Sequence, residues 1–313
     1  MPEKIAYLFP GQGSQYLGMG RDLMASFPAT KEIFEQMDAL CGKSLSRLCF
    51  EGPLEELTLT ENLQPAITAV NLACLYALET SGVHSQVSAG HSLGEYAALV
   101  SAGIVSVESA LRLVRKRGEL MHRESLSNPG TMAAVIGLSK EKVQAIVDSS
   151  AEDGVLAIAN HNTAEQIVIT GEQEPVSRAI QAAKKEGAKA IPLRVSGAWH
   201  CSLMQGAVGE FRAYMEQIPF SPPTATMLFN ATGAPETNPE AMKDIMAKQL
   251  VSAVKWYDIV GKMLAEGVDT FVEVGPKKVL TGLVGKIVPK GSAVQLHQVE
   301  DMASLERFLN RGN

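Results

Sequence analysis

Cysteine is scarce in this chain, and the little there is carries no pattern. Cys41, Cys49, Cys74 and Cys201 fit no metal-ligand spacing, and no secretory leader is legible in Met1-Pro2-Glu3-Lys4, so they read as free thiols of a cytoplasmic protein. A basic excess is missing as well. Lysine and arginine number 28 against 34 aspartates and glutamates, a net charge of −6, which weighs against nucleic acid as a partner. Long hydrophobic runs are also absent. The longest apolar stretches, Ala66–Leu78 and Tyr96–Val107, are broken by polar residues and fall short of the ~20 residues a membrane-crossing helix needs.

What is present is the alternation of an α/β protein. Lys4–Phe9 is a short apolar run halted by Pro10-Gly11, a buried strand entering a glycine-rich loop. Helical patterns follow at Ala29–Leu40 and Pro65–Glu79, then a weak strand at Gln86–Ala89 and helix from Leu93. From Thr131 the order becomes strand Thr131–Leu138, helix Ser139–Ser149, strands Val155–Ala159 and Gln166–Thr170, helix Pro175–Glu186 and strand Ala188–Val195. That β-α-β-β-α-β order is ferredoxin-like. It predicts a small domain at 128–197 inserted into a larger domain with a parallel sheet, made of 1–127 and 198–313. Met227–Asn230 and Thr270–Val274 supply its later strands.

Gly90-His91-Ser92-Leu93-Gly94 fits the Gly-x-Ser-x-Gly nucleophile elbow, in which a strained turn between strand and helix leaves room only for small neighbours. Five residues are a weak signal alone, but the motif stands where the mechanism needs it, between a predicted strand and a predicted helix. Gly11-Gln12-Gly13-Ser14-Gln15 follows the first strand. Its readings are a dinucleotide loop, for which the third glycine is missing at Tyr16, a plain tight turn, or a loop whose N–H groups stabilise an oxyanion together with that of Leu93.

A serine nucleophile needs a base. Of His84, His91, His122, His161, His200 and His297, two are serious. His200 lies where the small domain returns to the large one, and His297 stands late in the chain, with Asp269 available in the order of an α/β hydrolase. Chain order leaves both open. Helical periodicity over Ser106–Glu124, with Ser106 as N-cap, puts Val107, Ala110, Leu111, Val114, Gly118 and Met121 on an apolar face. Arg117 falls on its flank, where a guanidinium must find an anion: either a buried aspartate or glutamate, or the carboxylate of a substrate.

Several motifs together resemble the malonyl-CoA:acyl carrier protein transacylase family of fatty-acid and polyketide synthesis, over essentially the whole chain. They are Phe9–Gln15, Gly90–Tyr96, Arg117-Gly118 at its spacing from Ser92, Ser196…His200…Met204, and Glu273–Pro276. The resemblance implies an α/β-hydrolase-like large domain with a ferredoxin-like insert. It implies Ser92 as nucleophile and His200 as base, oriented by a backbone carbonyl near Gln249 rather than by an acid. It further implies Arg117 on the malonyl carboxylate, oxyanion amides from Gln12 and Leu93, and Gln64, Asn160 and Gln249 in the substrate cleft. No metal or bound cofactor is implied. Coenzyme A enters as the thioester substrate malonyl-CoA, and holo acyl carrier protein is the partner. One residue departs from the pattern: Trp199 stands where the family commonly has Phe, and a larger ring pointing inward would narrow the acyl pocket. Two other readings remain: an acyl hydrolase on the same scaffold, and a carrier-docking subunit without catalysis.

Overall fold

In the computed structural model of the protein, which describes residues 3–311, nine strands form among the described residues. They are β1 (Ile5–Phe9), β2 (Val87–Gly90), β3 (Thr131–Ile136), β4 (Leu156–Thr163), β5 (Gln166–Gly171), β6 (Lys189–Pro192), β7 (Thr226–Met227), β8 (Thr270–Val274) and β9 (Gln295–Val299). Met1 and Pro2 of the opening stretch lie outside the described residues. β1 is buried along its whole length, which is why it reads as an unbroken apolar run, and it occupies the middle of a parallel sheet of order β7-β2-β1-β8-β9. The second sheet is antiparallel, of order β4-β5-β3-β6, with helices Lys140–Ala151 and Gln173–Lys185 in its crossovers. That is the ferredoxin-like β-α-β-β-α-β arrangement expected from the pattern.

The small sheet is tied to the rest of the molecule at Val254, which lies outside the strands of the parallel sheet. Its N–H donates to Ala159 O (2.8 Å) and its carbonyl accepts from His161 N–H (2.9 Å), so β4 continues into a single bridge with the large part of the molecule. β4 itself runs to Thr163, beyond the Ala159 expected, because two register irregularities let it bend past the seam.

Other boundaries moved for equally physical reasons. The helix expected to open at Pro65 opens at Thr60, with Pro65 inside it. Thr60–Gln64 is held helical by packing on the helix Val107–Ser127, where Gly118 lets the two backbones close: a Cβ on Gly118 would stand 3.2 Å from Thr60 O and from Glu61 Cα. Ser106 caps that second helix, accepting from Ser109 N–H. The strand expected at Met227–Asn230 shrinks to Thr226–Met227, and the last third of the chain also holds helices at Gln205–Met215, Pro239–Gln249, Trp256–Ala265, Val279–Ile287 and Met302–Leu309. None of the described helices is long and apolar enough to cross a membrane.

The elbow is the tightest point of the fold. β2 ends at Gly90, Ser92–Gly94 makes a single 3-10 turn, and the α-helix begins only at Glu95. A Cβ on Gly90 would lie 1.8 Å from the Gly94 carbonyl carbon, and one on Gly94 would lie 1.9 Å from Phe9 O in β1. Backbone atoms cannot yield to such contacts. Gly94→Ala is therefore expected to cost at least about 3 kcal/mol of folding free energy, read from the urea unfolding midpoint. An unchanged midpoint would mean that β1 and the elbow can part.

Candidate active site

The elbow's backbone forces Ser92 into the left-handed region, with φ of 50°, and lifts its side chain above the carboxyl end of the sheet. Asn230, just past β7, fixes it from below: Asn230 Oδ1 accepts from Ser92 N–H (2.6 Å) and its Nδ2 donates to Gly90 O (2.7 Å). Ser92 Oγ has two polar neighbours. It lies 2.8 Å from His200 Nε2 and accepts from Arg117 Nη2 at 3.2 Å.

His200 is also in the left-handed region, with φ of 64°, and is buried. Its Nδ1 stands 2.9 Å from the backbone carbonyl of Gln249. A carbonyl only accepts, so Nδ1 carries the hydrogen and Nε2 presents a lone pair to the serine hydroxyl. Burial first, then the nearby Arg117 charge, push the imidazole far down, to about 3, against the raising effect of the Gln249 carbonyl. A neutral base of this kind can take the serine proton without having to lose one of its own.

Arg117 is wholly buried in the helix Val107–Ser127, and none of the ion pairs among the described residues involves it. The buried ion pair weighed from sequence is thus replaced by neutral contacts. Nη2 donates to Gln249 Oε1 (3.0 Å), and the guanidinium carbon stands 5.6 Å from the centre of the Tyr96 ring. Nε and Nη1 are buried without a hydrogen-bond partner. The nearest carboxyl, Glu95, is held off behind Gln249, whose Nε2 donates to Glu95 Oε2 (2.5 Å) and to Ser92 O (2.9 Å). Burial pushes Glu95 up to about 8, while the Asn230 N–H, the Gln249 amide and the Arg117 charge hold it down.

The remaining residues singled out from sequence gather around a cleft of about 380 Å³ lined by Ser92, His200, Gln12, Asn160 and Trp199, among others. The loop bearing Gln12 packs on the elbow so closely that a Cβ on Gly11 would meet His91 O at 2.6 Å and Leu93 N at 3.5 Å. Leu93 is the middle residue of the 3-10 turn that follows the strand. Gln64 is buried one step back, its Nε2 3.4 Å from Gln12 Oε1 and its own Oε1 unpaired. Asn160 reaches the cleft from β4.

His297, the other candidate base, stays apart: it lies on β9 against Phe308, its Nε2 3.1 Å from Gln295 Oε1. Asp269 accepts from the Lys4 N–H and does not approach it. Among the described residues no group of three or more His, Cys, Asp or Glu side chains is placed to hold a metal ion.

Sequence reasoning missed Asn230, Glu95 and Tyr96. The one signal available for Asn230 was a polar residue closing an apolar strand of a parallel sheet, the edge where such sheets build sites.

A serine hydroxyl on an elbow, within hydrogen-bond reach of a histidine and beside a buried guanidinium in no ion pair among the described residues, has the geometry of an acyl-transfer site of the serine type. The chain belongs to the acyl transferase domain family, whose model matches residues 6–305. It is 43% identical to the malonyl CoA-acyl carrier protein transacylase of Bacillus subtilis (strain 168) over 286 residues, 91% of this chain and 90% of that one. It superposes with a TM-score of 0.93 on an acyl carrier protein S-malonyltransferase from Vibrio cholerae (38% identity, 98% and 100% of the two chains). A type II polyketide-synthase acyl-carrier protein in complex with its malonyl-transacylase gives 0.94 (37% identity, 99% and 100%).

The depressed histidine sets a pH expectation. With its folded value far below the ordinary 6.5, His200 remains a free base through that pH, so labelling of Ser92 by a fluorophosphonate should show no inflection near 6.5 between pH 5 and 7. Stability runs the other way. As pH falls below 6.5 the unfolded chain binds a proton that the buried imidazole refuses, so this residue's contribution to stability declines toward acid. A labelling rate that halves at pH 6.5 would contradict the burial argument.

Proposed function

We propose that this protein transfers a malonyl group from coenzyme A to Ser92 and on to the phosphopantetheine thiol of a holo acyl carrier protein. The observation that carries this reading is Arg117: a buried guanidinium 3.2 Å from the Ser92 hydroxyl with Nε and Nη1 unpartnered. A malonyl thioester has its free carboxylate one methylene from the carbon that the serine attacks. A cation at that short range fits this acyl group and is wasted on a neutral one.

In the proposed sequence His200 Nε2 accepts the Ser92 proton as Oγ adds to the thioester carbon. Leu93 N–H and Gln12 N–H receive the oxyanion. The intermediate collapses, the carbon–sulfur bond breaks, and coenzyme A leaves as the thiol with the proton from His200. The carrier's thiol then adds to the acyl-serine with His200 as base again, and Ser92 recovers its proton. Gln64, Asn160 and Gln249 line or support the acyl end of the cleft.

The names of the transacylase relatives, and the complex of one of them with its carrier, support the choice of donor and acceptor. On this reading 128–197 is a small domain that closes one side of the cleft of the large domain, 1–127 and 198–313. No bound cofactor is required. A cytoplasmic setting goes with coenzyme A thioesters and with four unpaired cysteines.

Intact-protein mass spectrometry after mixing with malonyl-CoA tests the assignment. A single malonyl adduct should form, be absent from Ser92→Ala, be slowed roughly 10²–10⁴-fold in His200→Ala, and form normally in His297→Ala. Arg117→Ala should slow malonyl loading about 10–100-fold, the ~1.5–3 kcal/mol of a charged hydrogen bond, while sparing acetyl loading. Holo carrier protein should then discharge the adduct. Free coenzyme A without an adduct would make the protein a hydrolase. Neither adduct nor coenzyme A would remove malonyl-CoA as substrate, leaving carrier binding by Ser92→Ala as the test of a docking role.

A further inference from the structure

Glu95 is a wholly buried carboxyl directly behind the nucleophile, and the chemistry proposed above makes no use of it. Oε1 accepts from the backbone N–H of Asn230 and Oε2 from the side-chain amide of Gln249. None of the ion pairs among the described residues involves it. The two residues it holds are those that hold the site. Asn230 accepts from Ser92 N–H, while Gln249 offers its backbone carbonyl to His200 Nδ1 and its Oε1 to Arg117 Nη2.

A glutamine amide can sit either way round, and the direction matters here. As placed, Nε2 faces two acceptors, Glu95 Oε2 and Ser92 O, and Oε1 faces the Arg117 donor. Turned over, Nε2 would meet the guanidinium N–H and Oε1 would meet the Glu95 carboxyl: donor on donor and acceptor on acceptor, both buried. We propose that Glu95 is a positioning residue that fixes the direction of the Gln249 amide and thereby sets Arg117 beside Ser92. As a carboxylate Glu95 presents only acceptors to its two donor neighbours, while in either protonation state the Arg117 donor and the Ser92 carbonyl oppose the turned amide. The inference rests on Arg117 binding the acyl carboxylate.

Glu95→Gln is nearly isosteric but offers one acceptor to two donors, so either Asn230 N–H or Gln249 Nε2 is left facing an N–H₂ group. The expected result is at least about a tenfold fall in the ratio of malonyl to acetyl loading of Ser92, carried by a higher KM for malonyl-CoA. Gln249→Met should lose the ratio similarly, and the double variant should be no worse than the worse single one, since both act through one contact. A purely structural role would instead lower the melting temperature and reduce both loading rates together.

Should Glu95→Gln fail to fold, Glu95→Asp, which draws both acceptors back by one methylene, carries the same expectation. Equal losses for malonyl and acetyl, additive effects of the two substitutions, or an unchanged ratio in Gln249→Met would each overturn the proposal. Arg117→Ala separates the layers. If it too keeps the wild-type ratio, the carboxylate clamp itself is wrong; if it loses the ratio while Glu95→Gln and Gln249→Met keep it, only the positioning role falls.

Discussion

Burying a guanidinium without a counter-anion is costly, and much of the architecture around Ser92 follows from having to hold Arg117 in that condition. The residue cannot snorkel to water from the middle of a helix packed on both sides. Gly118, its neighbour, brings the helix Thr60–Thr80 to within backbone contact, which closes one exit. Tyr96 offers the face of its ring and Gln249 an amide oxygen, two contacts that favour a cation without cancelling its charge. What is left is a guanidinium with Nη2 on Ser92 Oγ and with Nε and Nη1 unpartnered. A site in this state is stable only because the rest of the fold forces it.

The same constraint accounts for the partner of His200. An acid in the usual third place of a serine triad would sit within several ångströms of the guanidinium. At an effective dielectric constant of 20, unit charges 6 Å apart attract by about 3 kcal/mol, enough to draw Arg117 toward a permanent internal partner. A backbone carbonyl fixes the imidazole tautomer and direction with no net charge. Glu95 is the near exception, and it is kept behind the Gln249 amide with its ionisation pushed up by burial, so it competes poorly for Arg117.

How much of this could be read from residues alone follows from how local each feature is. β1, the glycine elbow, the Ser106 cap and the flank position of Arg117 are written in adjacent or helically spaced residues, and they formed as read. The β-α-β-β-α-β order was equally visible, because each of its elements carries its own period. Chain order could not choose between His200 and His297, since only the path of the chain through the seam decides which imidazole meets the serine. A backbone carbonyl has no side-chain signature, so the partner of His200 was available only through resemblance. Glu95 and Asn230 act on residues more than a hundred positions away and gave no local sign of it. The Thr60 start of its helix was hidden by Pro65, whose missing N–H is tolerated because tertiary packing holds the preceding turn.

Trp199 shows how the seam between the two sheets shapes the chemistry. It lies in the crossing between them, lines the cleft and is almost fully buried. Its ring rests against Gly197, where a Cβ would come within 2.7 Å of the indole and also of Ser125 Cβ. The indole is closed off on the side of the Gly197 backbone. A rigid wall turns a difference of one methyl group into a steric cost of about 1–3 kcal/mol, whereas a mobile side chain would lose most of that by rotating away. The wall is set in the seam, which is held by the Val254 bridge to β4, the bond of His91 Nε2 to Asn162 Oδ1, and a core that Met132, Ala134, Ala159 and Val168 of the small sheet share with the large part of the molecule. On the proposed malonyl reading, the firmness of this wall follows from how the small sheet is fastened and not from the ring alone.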